Sequence, residues 1–271
     1  MHERVSVNAL CFPGAPFSEL TAHWRDLGAR RVSFISNVFD EGLPAVQTAL
    51  RAGGHKAETV VDIFLPFGQH LEPREESWRA PRERLNRLID SAKAIGAQSI
   101  YFVSGGHGTL TWEEAAECFS AAVAPCVAHA KSVGIPLMIE NTPQLYYDTH
   151  ITHSLRDTVT LAEMAGVGVC IDLFGCWGEA GLQDTIKRAI PRCHVVQVSD
   201  YVYGDRSFPC RAVPGDGAIP LKRLCDWILS AGYQGAFDIE MIGPRIDKEG
   251  RVPAVRRAAD KIGEILHALG A

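Results

Sequence analysis

Gln98-Ser99-Ile100-Tyr101-Phe102-Val103-Ser104, then Thr111-Trp112-Glu113-Glu114 opening a run to Ala130, then Gly134 and Pro136-Leu137-Met138-Ile139-Glu140-Asn141, reads as strand, helix, strand. The outer pieces are short and apolar, with little polar alternation, which is how parallel strands under a helix layer read. Between them Glu113–Ala130 places Ala116, Phe119, Val123 and Val127 on one side, the stripe of a helix that packs on a sheet. Thr111 followed by two acids is a helix start, and Gly134 is a helix stop.

The same unit recurs along the chain. Strands are predicted at Val5–Phe12, Arg31–Asn37, Ala57–Phe64, Gln98–Ser104, Pro136–Asn141, Val167–Leu173, His194–Asp200 and Ala236–Ile242. Helical periodicity covers Glu75–Ala94, with Leu85, Leu88, Ile89 and Ala92 in one stripe, and Ser154–Ala165, Leu182–Ile190, Leu221–Ser230 and Pro253–Leu269. Gly96, Gly166 and Gly232 close helices as Gly134 does. Strand-helix alternation through a whole chain implies a parallel sheet. Eight units in 271 residues suit a single (β/α)8 TIM barrel spanning 1–271. The rival, an open doubly wound sheet, would carry a GxGxxG turn after its first strand; Cys11-Phe12-Pro13-Gly14-Ala15-Pro16 has none.

Composition narrows the partners. A hydrophobic fraction of 46% with 22% charged residues is that of a globular chain able to bury a core. The formal net charge of −5 argues against a nucleic-acid partner, which calls for a basic face. No apolar run approaches the length that spans a bilayer, and the start lacks a signal peptide, so no membrane partner and a cytoplasmic location are expected. The cysteines form no CxxC pair, so neither a structural zinc site nor disulfides are expected; they read as small core residues. Nothing in the sequence decides between a monomer and a homo-oligomer.

Barrel chemistry sits at the C-terminal ends of the strands, and four of the later strands end in polar residues: Glu140 on the fifth, Asp172 on the sixth, Gln197, Ser199 and Asp200 on the seventh, Asp238 and Glu240 on the eighth. One such acid alone reads equally well as a salt-bridge or capping residue. Several ionised carboxylates gathered at one buried rim repel one another strongly, and a divalent cation resolves the conflict; oxygen ligands suit Mn, Mg or Ca. Strand parity points Gln197 inward and His194 toward the helix layer, and places Asp238 inward, one layer below Glu240.

The segments Ile139–Asn141, Cys170–Asp172, Val195–Tyr201, Val213–Leu221 and Phe237–Met241 resemble the xylose isomerase-like barrel superfamily, in particular its sugar phosphate isomerase/epimerase group, over essentially the whole chain. The resemblance implies one divalent metal held by Glu140, Asp172, position 197 and Glu240, with Glu140 and Glu240 as acid and base on opposite faces of the substrate. The family histidine at position 197 is here Gln197, whose neutral amide oxygen favours Mn2+ or Mg2+ over Zn2+. The histidine that epimerases often carry three residues after the sixth-strand acid is here Gly175. The Pro214-Gly215-Asp216-Gly217 turn matches a family segment after the seventh strand.

The resemblance therefore implies a metal-dependent isomerase or epimerase acting on a carbohydrate-like hydroxy-ketone through an enediolate. Loss of a β-substituent from the same enediolate would make it a lyase or dehydratase, of the inosose-dehydratase or keto-glycoside-cleaving kind. Substrate contacts are expected from Arg206, Arg211, Tyr201 and Tyr203 after the seventh strand, His107 after the fourth, Trp177 after the sixth and, more weakly, His70 after the third; each also reads as an ordinary loop or packing residue. A repair endonuclease on this barrel would need a histidine-rich multi-metal site and a basic groove. A non-catalytic binding barrel would have no reason to keep the acids.

Overall fold

The computed structural model describes all of residues 1–271 and is a closed barrel of parallel strands in chain order. The strands are β1 (Val5–Asn8), β2 (Arg31–Ile35), β3 (Lys56–Ile63), β4 (Ser99–Val103), β5 (Leu137–Glu140), β6 (Gly168–Asp172), β7 (Cys193–Val198) and β8 (Ala236–Ile239). β8 closes on β1 through the register Val5↔Phe237, Ser6↔Asp238, Val7↔Ile239. The expected (β/α)8 fold is what forms. Several strands are shorter than the apolar runs suggest. Glu240 lies one residue beyond β8, and Leu173 already belongs to a one-turn helix, Leu173–Cys176.

The expected helices pack around the barrel, joined by three more that the periodicity did not single out, Phe17–Leu27, Leu43–Gly53 and the short Pro244–Glu249. Trp112–Val133 opens with a capping box: the Thr111 hydroxyl accepts from the Glu114 N–H while the Glu114 carboxylate accepts from the Thr111 N–H. It closes on Gly134, whose φ of 75° is the left-handed conformation that glycine adopts without strain. All eight cysteines are free.

Two apolar regions result. The larger lies between sheet and helices. The smaller, inside the barrel, is Tyr101, Met138, Cys170 and Val195 with Val61 against it. This inner layer fixes the parity of everything above it. If Met138, Cys170 and Val195 point inward, so do Glu140, Asp172 and Gln197 two residues on. His194 has the opposite parity and is exposed.

Candidate active site

Glu140, Asp172, Gln197 and Glu240 converge on one rim, each at least nine-tenths buried. Two side chains outside this set hold the spacing. Asn141 bridges β5 and β6 as a backbone surrogate: its Nδ2 donates to the Asp172 carbonyl at 2.8 Å and its Oδ1 accepts from the Asp172 N–H at 2.9 Å. His150 holds the Glu140 backbone from behind. Its Nδ1 accepts from the Ser104 N–H at 3.0 Å, so Nε2 carries the proton and donates to the Glu140 carbonyl at 2.7 Å. Burial lowers the His150 pKa to about 3.

Arg211 is the cation of the site. Its guanidinium grips Asp172 through both oxygens, Nη1–Oδ1 3.1 Å and Nη2–Oδ2 2.7 Å, and reaches Glu240 Oε1 at 3.2 Å. Nη1 also donates to Ser199 Oγ at 3.0 Å, and the guanidinium carbon stands 4.7 Å over the Phe174 ring. Burial alone would lower its pKa, but the Asp172 and Glu240 charges outweigh this and raise it. Asp200 delivers Arg211 to this place. Its carboxylate accepts the N–H groups of Tyr201 and Ile219 on one oxygen and of Gly215 and Gly217 on the other, all at 2.8–3.0 Å. That folds the Pro214–Gly217 turn back onto β7. Gly217 has to be glycine: a Cβ there would lie 2.3 Å from the Tyr201 carbonyl oxygen.

Around Arg211 the carboxylates differ. Asp172 also caps Leu173–Cys176, accepting from the Phe174 N–H at 3.0 Å. Glu240 accepts from Tyr101 Oη at 3.2 Å and from Gln197 Nε2. Burial raises the Glu240 pKa, opposed by Arg211. Glu140 has no hydrogen-bonding or ion-pair partner for its carboxylate. Burial, then the charges of Glu240 and Asp172, hold its pKa well above the usual carboxylate range. Asp238 lies one layer down, bonded to Asn8 Nδ2 and Ser33 Oγ, both at 2.8 Å, rather than to any of the four rim residues. Its pKa is pushed up to about 7 by burial.

No three His, Cys, Asp or Glu side chains are placed so as to hold a metal ion. The common point expected of Glu140, Asp172 and Glu240 is not formed in this arrangement, because the Arg211 guanidinium lies between Asp172 and Glu240. The donor chemistry nevertheless fits a divalent cation. Gln197 Oε1 is buried with no hydrogen-bond partner, and one guanidinium leaves Glu140 uncompensated. Hard oxygen donors of this kind suit Mn2+ or Mg2+.

A cavity of about 540 Å3 opens above these groups, with Glu140, Glu240, Arg211 and Tyr101 in its wall. Of the loop residues expected to touch substrate, Arg211 lines it. His107 bonds its own turn, Nδ1 to the Leu110 carbonyl at 3.0 Å. Arg206 is exposed and donates to Tyr201 Oη at 2.7 Å, and Tyr201 Oη in turn donates to the Asp205 carbonyl. Trp177 lines a separate groove with Glu179 and Trp227, and Tyr203 and His70 are exposed. Asp216 pairs with Arg257 on the surface. Sequence reading missed Tyr101, Asn141 and His150. The parity of β4, which turns Tyr101 inward, was the one available signal.

Gly175 receives a physical explanation. A Cβ there would lie 2.7 Å from Asn141 Nδ2 and 2.9 Å from the Asn141 carbonyl oxygen. A histidine at this position would break the bridge between Glu140 and Asp172.

A family model described as xylose isomerase-like TIM barrel matches residues 22–264. The chain belongs to that family. No curated protein matches the sequence. Among solved structures, protein SMc04130 from Sinorhizobium meliloti 1021 superposes with a TM-score of 0.85 at 23% identity, over 97% of this chain and 98% of that one. An L-ribulose 3-epimerase aligns with a TM-score of 0.81 at 17% identity over 98% and 95%. The IOLI protein, whose structure holds a zinc atom, aligns with a TM-score of 0.81 at 13% identity over 98% of both chains. At these identities the structures establish a shared fold. The xylose isomerase-like family model establishes the membership, and no helix is long and apolar enough to cross a membrane.

Proposed function

We propose that this protein is a divalent-metal-dependent isomerase or epimerase of a small hydroxy-ketone of the carbohydrate kind, working through an enediolate at the β5–β8 rim. The observation that carries the reading is Glu140: an unpartnered carboxylate in the cavity wall, its backbone held by His150 and its neighbour Asn141 tied to Asp172, with burial holding its pKa well above the usual carboxylate range. Glu140 takes the proton from the carbon beside the carbonyl. Glu240, oriented by Tyr101 and Gln197, returns or receives a proton on the other side. Arg211, gripping Asp172 and facing Glu240, fixes these two carboxylates beside the reacting group. Glu140, Asp172, Gln197 and Glu240 would hold one divalent ion, Mn2+ or Mg2+ in preference to Zn2+, and when bound it would supply Lewis-acid stabilisation of the two adjacent oxygens. The L-ribulose 3-epimerase among the structural neighbours supports a reading of this class.

A lyase or dehydratase outcome from the same enediolate is the second reading. What favours it is Gly175, packed on Asn141 so that the histidine of ketose epimerases has no room.

The test is proton exchange in D2O, followed by NMR over a panel of hydroxy-ketones with Mn2+ or Mg2+ present. Wild type is expected to exchange the α-proton, and Glu140→Gln to lose roughly 100- to 10,000-fold of that rate, the usual worth of a positioned acid–base group. Exchange by the variant at the wild-type rate would remove Glu140 from the mechanism.

A further inference from the structure

The inner wall of the barrel mouth divides into two halves. The inward positions at the ends of β5–β8 are Glu140, Asp172, Gln197 and Glu240. Facing them from β2–β4 and the turn after β1 are Leu10, Ile35, Val61, Ile63 and Val103, all half-buried and all lining the cavity, beside Tyr101, whose hydroxyl is bonded to Glu240. The polar groups on that side are spoken for: Ser36 Oγ donates to Asp62 Oδ1 at 3.1 Å, and Asp62 is paired with Arg84 at 3.4 Å.

From this division we infer that the substrate carries an uncharged hydrophobic body, such as a ring, attached to the reacting hydroxy-carbonyl group, and no phosphate. The inference rests on the proposed enediolate chemistry for where the reacting group lies and names the rest of the molecule. Each hydroxyl of a polyol arm laid against Ile35, Val61 and Val103 would go unmatched, at a loss of roughly ten- to a hundredfold in affinity apiece. An apolar ring gains there instead.

A phosphate has no seat. Arg211 is the cation of the cavity wall and is paired with Asp172 and Glu240, so a phosphate would have to displace both carboxylates to reach it. Barrel enzymes often hold phosphate at the N-terminus of a short helix after the later strands. Here the start of that helix, Pro244–Glu249, is crowded by the chain itself: a Cβ on Gly243 would lie 2.5 Å from the Pro209 carbonyl oxygen.

The mouth continues the apolar character. Apart from Met1 and Met164, every exposed large hydrophobic side chain lies in the loops around it: Phe67 after β3, Leu145 and Tyr147 after β5, Tyr203 and Phe208 after β7. Phe67, 73% exposed, also lines the cavity. A ring-bearing ligand entering the cavity would cover it.

The test compares three enolisable probes on the purified full chain with Mn2+ present: 2-hydroxyacetophenone, hydroxyacetone and dihydroxyacetone phosphate. Binding is read by calorimetry and α-proton exchange by NMR in D2O. The aromatic probe is expected to bind at least tenfold more tightly than hydroxyacetone, with the phosphate giving no gain. Val61→Thr and Ile63→Asn should each weaken the aromatic probe at least fivefold and leave hydroxyacetone within twofold. Equal affinity for the aromatic probe and hydroxyacetone, or tighter binding of the phosphate, would overturn the inference, and the wild-type comparison decides this even if a variant fails to fold. The two readings fail separately. Tight aromatic binding without exchange sinks the enediolate and keeps the apolar body, whereas exchange of hydroxyacetone or the phosphate with no preference for the ring does the reverse.

Discussion

Replacing Arg211 with methionine isolates the electrostatic core of the site. The side chains of Arg211, Asp172 and Glu240 are 8%, 0% and 8% exposed, so water screens this pairing little. Removing one partner of a buried ion pair costs about 3–5 kcal/mol, because the other charge is left uncompensated. Arg211 serves two carboxylates and also stacks on Phe174, which places the expected loss at the upper end at pH 8. For a chain of this size that corresponds to a fall in Tm of about 6–15 °C.

The loss should depend on pH in a definite direction. Glu140 and Glu240 have raised pKa values in the folded state, through burial first. Without the guanidinium they rise further, so the folded variant binds more protons than the unfolded chain, and its stability increases as pH falls. Thermal melts of wild type and Arg211→Met at pH 8 and pH 5.5 are therefore expected to show a gap that narrows in acid. Arg211→Lys, which restores charge but not the fork, should fall between them. Mn2+ should stabilise the methionine variant at pH 8 by about 2.7 kcal/mol at a hundredfold excess over its Kd. A variant as stable as wild type at pH 8, or a gap of the same size at both pH values, would refute the electrostatic account. Failure of Mn2+ to raise the Tm would refute the cation site alone.

Gly175→Ala should cost about 1–3 kcal/mol by denaturant unfolding, since the new methyl overlaps the Asn141 backbone as well as its side chain, and it should lower proton exchange by disturbing Glu140 and Asp172 together. His150 is buried neutral, with a pKa lowered to about 3, so the unfolded chain binds the extra proton once pH drops below about 6.5. Stability from this residue is present above that pH and is lost as pH falls toward 3, by roughly 2–3 kcal/mol at pH 4.5. His150→Gln should show a shallower fall between pH 7 and 4.5 in urea unfolding; an unchanged slope would mean that other groups carry the acid sensitivity.

The strands and the acids at their ends were legible in the sequence because both follow from periodicity. A run of apolar residues that must be buried, ending in a carboxylate, assigns the carboxylate to the rim, and parity then separates Gln197 from His194. Arg211 was named only as a loop arginine open to substrate. Its burial depends on Asp200 gathering four backbone N–H groups from residues 201–219, a closure that no periodic pattern encodes. The same holds for His150 and Asn141. A histidine ten residues from the carbonyl it holds, and an asparagine bonding across strands, are tertiary facts. Arg206, His107 and Trp177 illustrate the converse: residues of the right chemistry on the right loops, turned to local partners instead of the cavity.

The apolar half of the mouth follows from the same parity argument, but aliphatic strand ends carry no chemical signal of their own. Ile35, Val61 and Val103 are inward on the count that turns Glu140 inward, yet an aliphatic residue at a strand end reads as more core. Here it is not core alone: each remains half-buried in the wall of the cavity whose other side carries the chemistry. Unsatisfied carboxylates and solvent-facing aliphatic side chains on two walls of one cavity are each unfavourable alone. A ligand polar at one end and apolar at the other relieves both at once.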